Sequence, residues 1–387
     1  MTIYETPEPD PEDRHALDEI HELREELSSN LRVPRRWTGA LRRTTQARAI
    51  RGSNTIEGYD VSEQDAIAAV DDEEPLGADE RTWAEITGYR RALTYVLTAA
   101  PEPHFRIDSQ LVRSLHFMLL EHDLSKGPGR YRPGSVYVHD ESDGSQVYEG
   151  PDADAVPGLM KAMAGRLESE RDVDPMIRGA MAHLNLVMIH PFRDGNGRMA
   201  RVLQTAALGQ DTVLEPTFSS IEEWLGQNTT DYYRVLAATG QGAWNPQNDA
   251  HPWVKFVLRA HHMQAQTLRR RFAEADVLWR QIDDLVAEHR LPDRVGDALF
   301  DALQGGRVQR PSYVRRAEVE DRTGTRDLVR LTELGLLEAV GKTRARHYLA
   351  GPVLRGVAAE VRSGRQPLAD PYPWLQGWLR GEVDRAS

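Results

Sequence analysis

The stretch from His190 to Arg201 combines residue types that could bind a phosphate group. It reads His-Pro-Phe-Arg-Asp-Gly-Asn-Gly-Arg-Met-Ala-Arg. Gly195 and Gly197 allow positive φ angles and close approach of the backbone, so that successive N–H groups could surround an anion where a helix begins. If that helix starts near Gly197, Arg198 and Arg201 lie three residues apart on one face. Both guanidinium groups could then reach the same phosphate chain.

Two further residues of this stretch supply the remaining chemistry. The Asp194 carboxylate could hold Mg²⁺ against phosphate oxygens. His190 is the residue here whose imidazole can take up a proton near neutral pH. Taken one at a time, these residues are equally typical of a polar surface loop with solvated arginines. Their combination favours a phosphate site with a built-in base.

This stretch resembles the signature of the Fic family, His-x-Phe-x-(Asp/Glu)-Gly-Asn-Gly-Arg-x-x-Arg, and it meets every specified position. The resemblance implies a compact helical core and the transfer of AMP from ATP to a hydroxyl of a target protein, with release of pyrophosphate. It also implies the following roles: His190 as the base for a Ser, Thr or Tyr hydroxyl, Asp194 as the ligand of Mg²⁺ (or Mn²⁺), Gly195, Asn196, Gly197, Arg198 and Arg201 as the ATP-binding residues, and Phe192 as the anchor of the loop.

A second motif, from Ser53 to Gly58, lies well before the first. Ser53 and Glu57 are spaced i,i+4, and Gly58 is a suitable residue to end a helix. An ordinary helix end would account for this spacing. However, the segment is similar to the inhibitory motif (Ser/Thr)-x-x-x-Glu-(Gly/Asn) of Fic proteins with an N-terminal inhibitory helix. That resemblance implies that Glu57 pairs with Arg201, takes the place of the γ-phosphate of ATP, and keeps the enzyme inactive.

Alternating residues predict a β-hairpin over 135–148 in a chain that is otherwise helical. Val136, Tyr137 and Val138 begin it, Asp143-Gly144 provides a turn, and the chain returns through Val147. The hairpin could be a surface feature without a role. In Fic proteins the corresponding hairpin is a flap that holds the target segment by strand addition, which implies a target-binding role for Val136, Tyr137 and Val138.

Apolar residues at helical spacing predict the elements that must position these motifs. Asp108 is a suitable N-cap for one further helix. His183 is interpreted as a core histidine because no third ligand at metal spacing accompanies it. The predicted helices cover residues 12–27, 37–50, 62–70, 81–99, 155–167, 176–189, 202–208 and 267–288.

The C-terminal part has a different pattern. Helices over 295–303, 312–319 and 325–334, followed by strands over 336–340 and 346–349, resemble a winged helix-turn-helix. Arg326 and Arg330 would lie on its recognition helix, and Lys342, Arg344 and Arg346 on the wing. DNA is left open as a partner, but protein docking or homodimer formation is favoured over it.

Composition limits the remaining choices. The formal net charge is −12, which disfavours a general affinity for nucleic acid or anionic membranes. Cysteine is absent, which excludes disulfides and thiolate chemistry. The chain has neither an apolar run of about 20 residues nor a signal-peptide pattern, so we expect a cytoplasmic protein without a membrane partner.

The predicted fold class is mainly α: a Fic helical core with a small β-hairpin flap, an N-terminal helical region and a C-terminal winged helix-turn-helix. The predicted domains are an N-terminal helical region with the inhibitory motif (1–100), a catalytic core (101–245), connecting helices (246–290), a winged-helix-like domain (291–352) and a tail (353–387).

The predicted function is an autoinhibited protein adenylyltransferase with ATP as its substrate. Two alternatives remain open at this point. The same site could remove AMP or transfer another phosphate-containing group. Otherwise, the chain could be a DNA-binding regulator that carries a sensory Fic domain.

Overall fold

The computed structural model describes residues 1–139, 144–211, 213–342 and 346–383, and it is mainly helical. Asp143 of the predicted hairpin turn and Arg344 of the predicted wing lie outside these ranges. The helices of the first two thirds of the chain are α1 (Pro11–Arg32), α2 (Thr38–Ile56), α3 (Glu63–Val70), α4 (Glu80–Ala99), α5 (Ser109–Leu120), α6 (Val156–Ser169), α7 (Pro175–Ile189), α8 (Asn196–Gly209), α9 (Pro216–Ser219), α10 (Glu222–Gln227) and α11 (Thr229–Gly240).

The remaining third contains one very long helix and several short ones. Two short antiparallel sheets occur among the described residues, one formed by β1 (Tyr137–His139) and β2 (Gln146–Glu149), the other by β3 (Leu337–Val340) and β4 (His347–Ala350). The helices here are α12 (His251–Glu288), α13 (Val295–Leu303), α14 (Arg310–Arg316), α15 (Asp321–Glu333), α16 (Pro352–Ser363) and α17 (Leu375–Leu379).

The helices α7 and α8 form the centre of the molecule. Nearly every side chain of α7 is buried, and α8 packs against it with residues such as Met199 and Leu203 that are fully excluded from solvent. The helices α4, α5 and α6 surround this pair and bury Tyr89, Leu115 and Met160 in the same apolar cluster. The loop between α7 and α8 is therefore held by the most buried part of the fold.

Helix α2 is longer than predicted. The predicted helix ends at Ile50, whereas α2 continues without interruption to Ile56. Gly52 lies in this continuation of α2, and the backbone of α10 packs directly on it. A Cβ at Gly52 would lie 2.2 Å from the carbonyl oxygen of Glu222. Gly226 approaches closely from the other side, since a Cβ there would lie 2.6 Å from the Cα of Gly52.

The C-terminal helices and strands lie in the predicted order, and Val308 adds a single antiparallel bridge to Tyr348 of β4. Their core is shared with other parts of the chain. Leu299 and Phe300 of α13 belong to the same buried cluster as Trp37 and residues of α1, α2 and α12. The assignment of this segment as a winged helix stays a prediction.

The tail packs back onto the body. Tyr372 is buried and donates a hydrogen bond to Asp13 of α1 (2.9 Å), while Arg259 of α12 forms a two-pronged ion pair with Asp370. Throughout the described ranges, helices of sufficient length lack the continuous apolar stretch that a membrane crossing requires.

Candidate functional site

The loop between α7 and α8 begins with His190 in a left-handed conformation. His190 has a φ of +50° and ends α7, with its N–H donating to Leu186 O (3.0 Å). Left-handed backbone is uncommon for residues other than glycine, and it often occurs where a side chain must be aimed for function. The chain then passes Pro191 and reaches Gly195, whose φ of +76° starts α8.

The surroundings of the His190 ring determine its tautomer and its charge. Its Nδ1 lies 3.2 Å from the carbonyl oxygen of Val187, which fixes the proton on Nδ1 and leaves Nε2 as the acceptor. Burial lowers the pKa of His190 to about 4, and the nearby Arg132 guanidinium acts in the same direction. The imidazole is therefore neutral at pH 7, with Nε2 unprotonated.

Phe192 anchors the loop through His116, a residue that the sequence analysis did not select. Phe192 is fully buried, and its ring stacks on His116 with centroids 3.6 Å apart and planes within 4°. The two ring nitrogens of His116 bind backbone on both sides: Nδ1 accepts from Gly129 N–H (2.9 Å), and Nε2 donates to Asp194 O (2.9 Å). Burial lowers the pKa of His116 to about 4, so the neutral ring that this pattern needs is present at pH 7.

Asn196 also holds the loop. Its Oδ1 accepts from Phe192 N–H and its Nδ2 donates to Phe192 O, both at 3.0 Å. The predicted role of Asn196 was in ATP binding, but in this geometry its side-chain amide is engaged within the loop. Its backbone N–H belongs to the first turn of α8.

The first turn of α8 provides an anion-binding surface. The first helical hydrogen bond is from Met199 N–H to Gly195 O (2.9 Å). The N–H groups of Asn196, Gly197 and Arg198 therefore have no partner within the described ranges. Free amides at a helix start, together with the helix dipole, favour binding of phosphate.

Arg198 is positioned by Glu85 of α4. The two side chains are almost completely buried and form an ion pair, and the Arg198 Nη2 also lies 3.5 Å from Asp194 Oδ1. Glu85 accepts further hydrogen bonds from Tyr59 (2.9 Å) and Lys126 (2.8 Å). Although burial favours the neutral acid, Arg198 and Lys126 lower the pKa of Glu85 to about 2.

Asp194, the predicted metal ligand, is partly exposed, with 36% of its side-chain surface accessible. Its Oδ1 accepts from Gly195 N–H (2.6 Å), and its Oδ2 lies 2.7 Å from Lys126 Nζ. Burial acts to raise the pKa of Asp194, but Lys126, Arg198 and the Gly195 N–H together outweigh it and hold this pKa below its usual range. An ionised carboxylate at the edge of the anion site fits Mg²⁺, which is commonly held by one or two carboxylates together with phosphate oxygens and water.

Arg201 is held by the end of α2. Its Nε donates to Ser53 Oγ (2.7 Å), and its Nη2 donates to Ser53 O (3.0 Å) and Glu57 Oε1 (2.6 Å). Burial works against the charged guanidinium, yet the Glu57 carboxylate raises the pKa of Arg201. Both motifs predicted from the sequence therefore meet at this one side chain.

Two glycines allow Glu57 to reach that position. Gly58 has a φ of +80° and follows the last turn of α2, as predicted for the residue that ends this helix. A Cβ on Gly197 would lie 2.5 Å from Glu57 Oε1, so only glycine leaves room for the carboxylate. The absence of a side chain at Gly197 thus leaves space for the Glu57 carboxylate as well as for a phosphate.

The predicted hairpin is present as β1 and β2. Tyr137 pairs with Glu149 and Val138 with Tyr148, and a bulge follows Val138. Val136 lies just before β1 and accepts from Gly150 N–H (3.1 Å), while the Tyr137 side chain is about half exposed. Within the described ranges, the outer edge of β1 has no backbone partner, so it can accept an added strand.

Arg132 joins the hairpin to the loop. Its Nε donates to His190 O (2.8 Å), its Nη1 to Gly134 O (2.6 Å), and its Nη2 to Pro151 O. Its own N–H donates to Pro191 O (2.9 Å). One buried guanidinium thus fixes the hairpin against the residue that carries the candidate base.

The remaining aromatic and histidine predictions fall around the site. His183 is buried between Gln204 (2.7 Å) and Tyr232 (3.0 Å), in agreement with the core interpretation. Tyr232 is buried, whereas Tyr233 is half exposed and donates to Ile56 O at the end of α2 (3.0 Å).

A separate group of possible metal ligands, formed by Asp10, Asp13 and His251, lies away from the motif. The ammonium of Lys255 already pairs with Asp10 (2.8 Å) and Asp13 (2.9 Å). An ammonium group of the protein therefore already occupies the space between these two carboxylates.

Glu85, His116, Lys126 and Arg132 are the site residues that sequence reasoning missed. Glu85 and His116 lie on the apolar faces of α4 and α5, where a polar residue is a signal of a buried partner. Lys126 ends a short 3₁₀ helix, and no pattern distinguishes it from other charged residues. Arg132 ends the segment Gly129-Arg130-Tyr131-Arg132, which resembles the usual lead-in to the Fic flap, but its contacts were not predicted. Their importance depends on contacts between distant segments.

Residues 106–208 match the Fic/DOC family. The protein adenylyltransferase Fic of Nematostella vectensis is 29% identical over 252 residues, which cover 64% of this chain and 54% of that protein. The chain therefore spans about half or less of the length of the curated relatives it matches.

Solved structures of Fic proteins are also similar to this chain. A Fic family protein from Desulfovibrio desulfuricans G20 has the same fold over 90% of this chain and 98% of its own, with a TM-score of 0.58 and 24% identity. Fic-1 (residues 134–508) from C. elegans is 26% identical, covers 66% of this chain and 71% of that one, and has a TM-score of 0.50. The segment 106–208, which contains α5 to α8 and the complete motif, is a Fic domain.

Proposed function

We propose that this chain is a protein adenylyltransferase that is inhibited by its own helix α2. The observation that carries the proposal is the ion pair between Glu57 and Arg201 (2.6 Å) within a complete Fic signature. Relatives named protein adenylyltransferase Fic support AMP transfer as the reaction.

The proposed reaction starts with a target hydroxyl placed beside His190 by a segment added to the β1 edge. His190 Nε2 takes the hydroxyl proton while the oxygen attacks the α-phosphorus of ATP. The new O–P bond forms as the bond from the α-phosphorus to the bridging oxygen of pyrophosphate breaks. The free amides of the first turn of α8 bind the developing negative charge, and Arg198 and Arg201 bind the outer phosphates.

A divalent cation, Mg²⁺ or Mn²⁺, would be held by Asp194 and would neutralise charge on the phosphates. Asp194 fits this role because its carboxylate is ionised, partly exposed and next to the helix start. The target is a protein with a Ser, Thr or Tyr hydroxyl.

Inhibition follows from competition for Arg201. In the described conformation Glu57 occupies the guanidinium that the γ-phosphate requires, and it places negative charge where ATP is also negative. A hydrogen bond between two charged groups contributes about 1.5–3 kcal/mol. Its removal therefore corresponds to roughly a 10- to 100-fold change in the population of the ATP-competent arrangement.

Glu57→Gly tests the proposal directly. With ATP labelled on the α-phosphate, we expect this variant to transfer roughly tenfold more label to protein than the wild type, and His190→Ala in the same background to abolish transfer. Asp60→Gly is the matched control, because Asp60 is an exposed carboxylate in the same segment. If Glu57→Gly transfers no label, or if His190→Ala leaves transfer intact, the proposed function is wrong.

Removal of AMP is a second candidate for the same site. Glu57 uses Oε1 for Arg201, and 21% of its side-chain surface is accessible, so its other oxygen could orient a water. Intact-mass measurement on an AMP-modified protein separates the two reactions. Addition increases the mass by one AMP group in the presence of ATP, whereas removal restores the unmodified mass.

A further inference from the structure

Lys126 occupies an unexpected position beside the Fic motif. It ends a short 3₁₀ helix (Leu124–Lys126) that follows α5, and Gly127 with a φ of +66° turns the chain immediately afterwards. Its Nζ lies 2.7 Å from Asp194 Oδ2 and 2.8 Å from Glu85 Oε1. With 19% of its side-chain surface accessible, this ammonium is inserted between two carboxylates of the site.

The charges around Lys126 balance. Glu57, Glu85 and Asp194 supply three negative charges, and Lys126, Arg198 and Arg201 supply three positive charges. Ion pairs connect Lys126 and Arg198 with Glu85 and Asp194, and a separate ion pair joins Arg201 to Glu57. These six side chains therefore carry no net charge without any bound ion. If Lys126 were removed, Arg198 at 3.5 Å would be the remaining cation paired with Asp194 among the residues that the structure describes.

We propose that Lys126 is the resident counter-ion of Asp194, and that a divalent cation must displace it to bind there. The inference rests on the proposed function in one respect, that Asp194 is the ligand of the divalent cation. Lys126 is then a positioning residue that sets the affinity for this cation.

The geometry permits such an exchange. Lys126 is a single point charge on a flexible stem, and Glu85 can retain it after Asp194 has turned to the metal. Glu85 in turn remains satisfied by Arg198 and Tyr59. Displacement therefore costs one partly exposed ion pair and leaves no buried charge unpaired.

Binding of Mn²⁺ alone to the full nucleotide-free chain tests this inference, with free Mn²⁺ measured by electron paramagnetic resonance. We expect Lys126→Met to bind Mn²⁺ roughly fivefold more tightly than the wild type, which is the change expected for loss of one competing, partly exposed ion pair. Asp194→Asn in the Lys126→Met background should remove the gain. Lys161→Met, at an exposed position on α6, is the matched control and should bind as the wild type does.

Equal affinities of Lys126→Met and the wild type would overturn the inference, and so would a gain that survives Asp194→Asn. If Lys126→Met fails to fold by circular dichroism, Lys126→Gln provides the same comparison with a polar side chain. The measurement does not depend on AMP transfer. A gain in Mn²⁺ affinity without transfer in Glu57→Gly would refute the proposed function while leaving the role of Lys126 in place.

Discussion

The Arg201 guanidinium binds two residues of α2 and the segment that follows it. Ser53 supplies both a hydroxyl and a carbonyl oxygen to it, and Glu57 supplies a carboxylate. The hydroxyl fixes the Nε edge of the fork, and the carboxylate binds the Nη2 edge. Ser53 therefore binds Arg201 and also orients its guanidinium towards Glu57.

We predict that Ser53→Ala relieves inhibition in part. Arg201 Nε would lose its acceptor in a buried position, which costs about 1–3 kcal/mol, while the Glu57 pair would remain. AMP transfer measured with labelled ATP should lie between that of the wild type and that of Glu57→Gly. Thr55→Ala is the control, since Thr55 is exposed on the same helix. Transfer by Ser53→Ala at the wild-type level would show that the hydroxyl does not contribute.

The two sequence motifs name candidate residues but few of their contacts. Glu57 of the inhibitory motif and Arg201 of the Fic signature were expected to pair, and their side chains form an ion pair. For Asn196 the motif gives a residue but not its contacts, and its amide is engaged by the backbone of Phe192. Glu85 and Lys126 were not predicted, because their roles arise only when α4 and the turn after α5 pack against α8.

At the level of elements, the contact of α2 with α10 controls where Glu57 lies. The two helix backbones approach so closely that Gly52 and Gly226 face each other. Helices can approach to this distance only where small residues meet, and the resulting contact tolerates little change in volume. This close contact positions the last turn of α2 against the Fic domain.

We predict that Gly52→Ala loosens α2. Its Cβ would lie 2.2 Å from the Glu222 carbonyl oxygen, and such overpacking costs about 1–3 kcal/mol of unfolding free energy. Gly39→Ala, in the first turn of the same helix, would meet no atom within 4 Å and should stabilise the protein by up to about 1 kcal/mol. Urea unfolding measures both effects, and the labelled-ATP assay should show increased transfer for Gly52→Ala alone. Equal unfolding midpoints for the two variants would contradict this prediction.

Helical periodicity predicted most elements but not their full lengths. The predicted N-cap at Asp108 is confirmed, since its side chain accepts from Leu111 N–H (2.7 Å). The helix predicted over 267–288 begins instead at His251, because Trp253 and Phe256 are buried on it. Helix α16 was not predicted. Its buried residues Leu354 and Ala358 pack in the cluster that α12 and α13 also line, and a helix pattern alone does not show that contact.

For the molecule as a whole, the C-terminal segment is less separate than its sequence suggests. Trp37 and Leu41 near the start of the chain share a core with Leu299 and Phe300. An ion pair between Arg43 of α2 and Asp301 of α13 also joins the N-terminal helices to the C-terminal segment. Sequence patterns reveal the apolar face of an element but not the partner that covers it, so the predicted domain boundaries stay predictions. A DNA-binding or docking test of this segment requires the full chain.

We predict that the whole molecule loses stability as the pH falls below about 6.5. Burial lowers the pKa of both His183 and His261 to about 3, so these rings stay neutral when folded but take up a proton when unfolded. For a pKa that is lower in the folded state, the contribution to stability is present above the unfolded value and is lost below it. Each such histidine should reduce the free energy of unfolding by about 1.4 kcal/mol per pH unit between pH 6 and 4.

Urea unfolding of the wild type and of His261→Gln at several pH values measures this effect. The variant binds one proton fewer when unfolded, so its stability should fall less steeply between pH 6 and 4. A slope identical to that of the wild type would show that His261 is protonated in the folded state as well.

Helix α12 also affects the order in which the chain can assemble. Its first half is buried with Trp253 and Phe256 in one cluster, and its second half with Leu268 and Phe272 in another. Helix α1 packs along it, although α1 ends at Arg32 and α12 starts at His251. Contacts between such distant segments form slowly, because a long loop must close first. During synthesis α1 can pack on α12, and α2 on α10, only after those later helices have been made. The contacts of Ser53 and Glu57 with Arg201 therefore form only after the Fic domain has been synthesised.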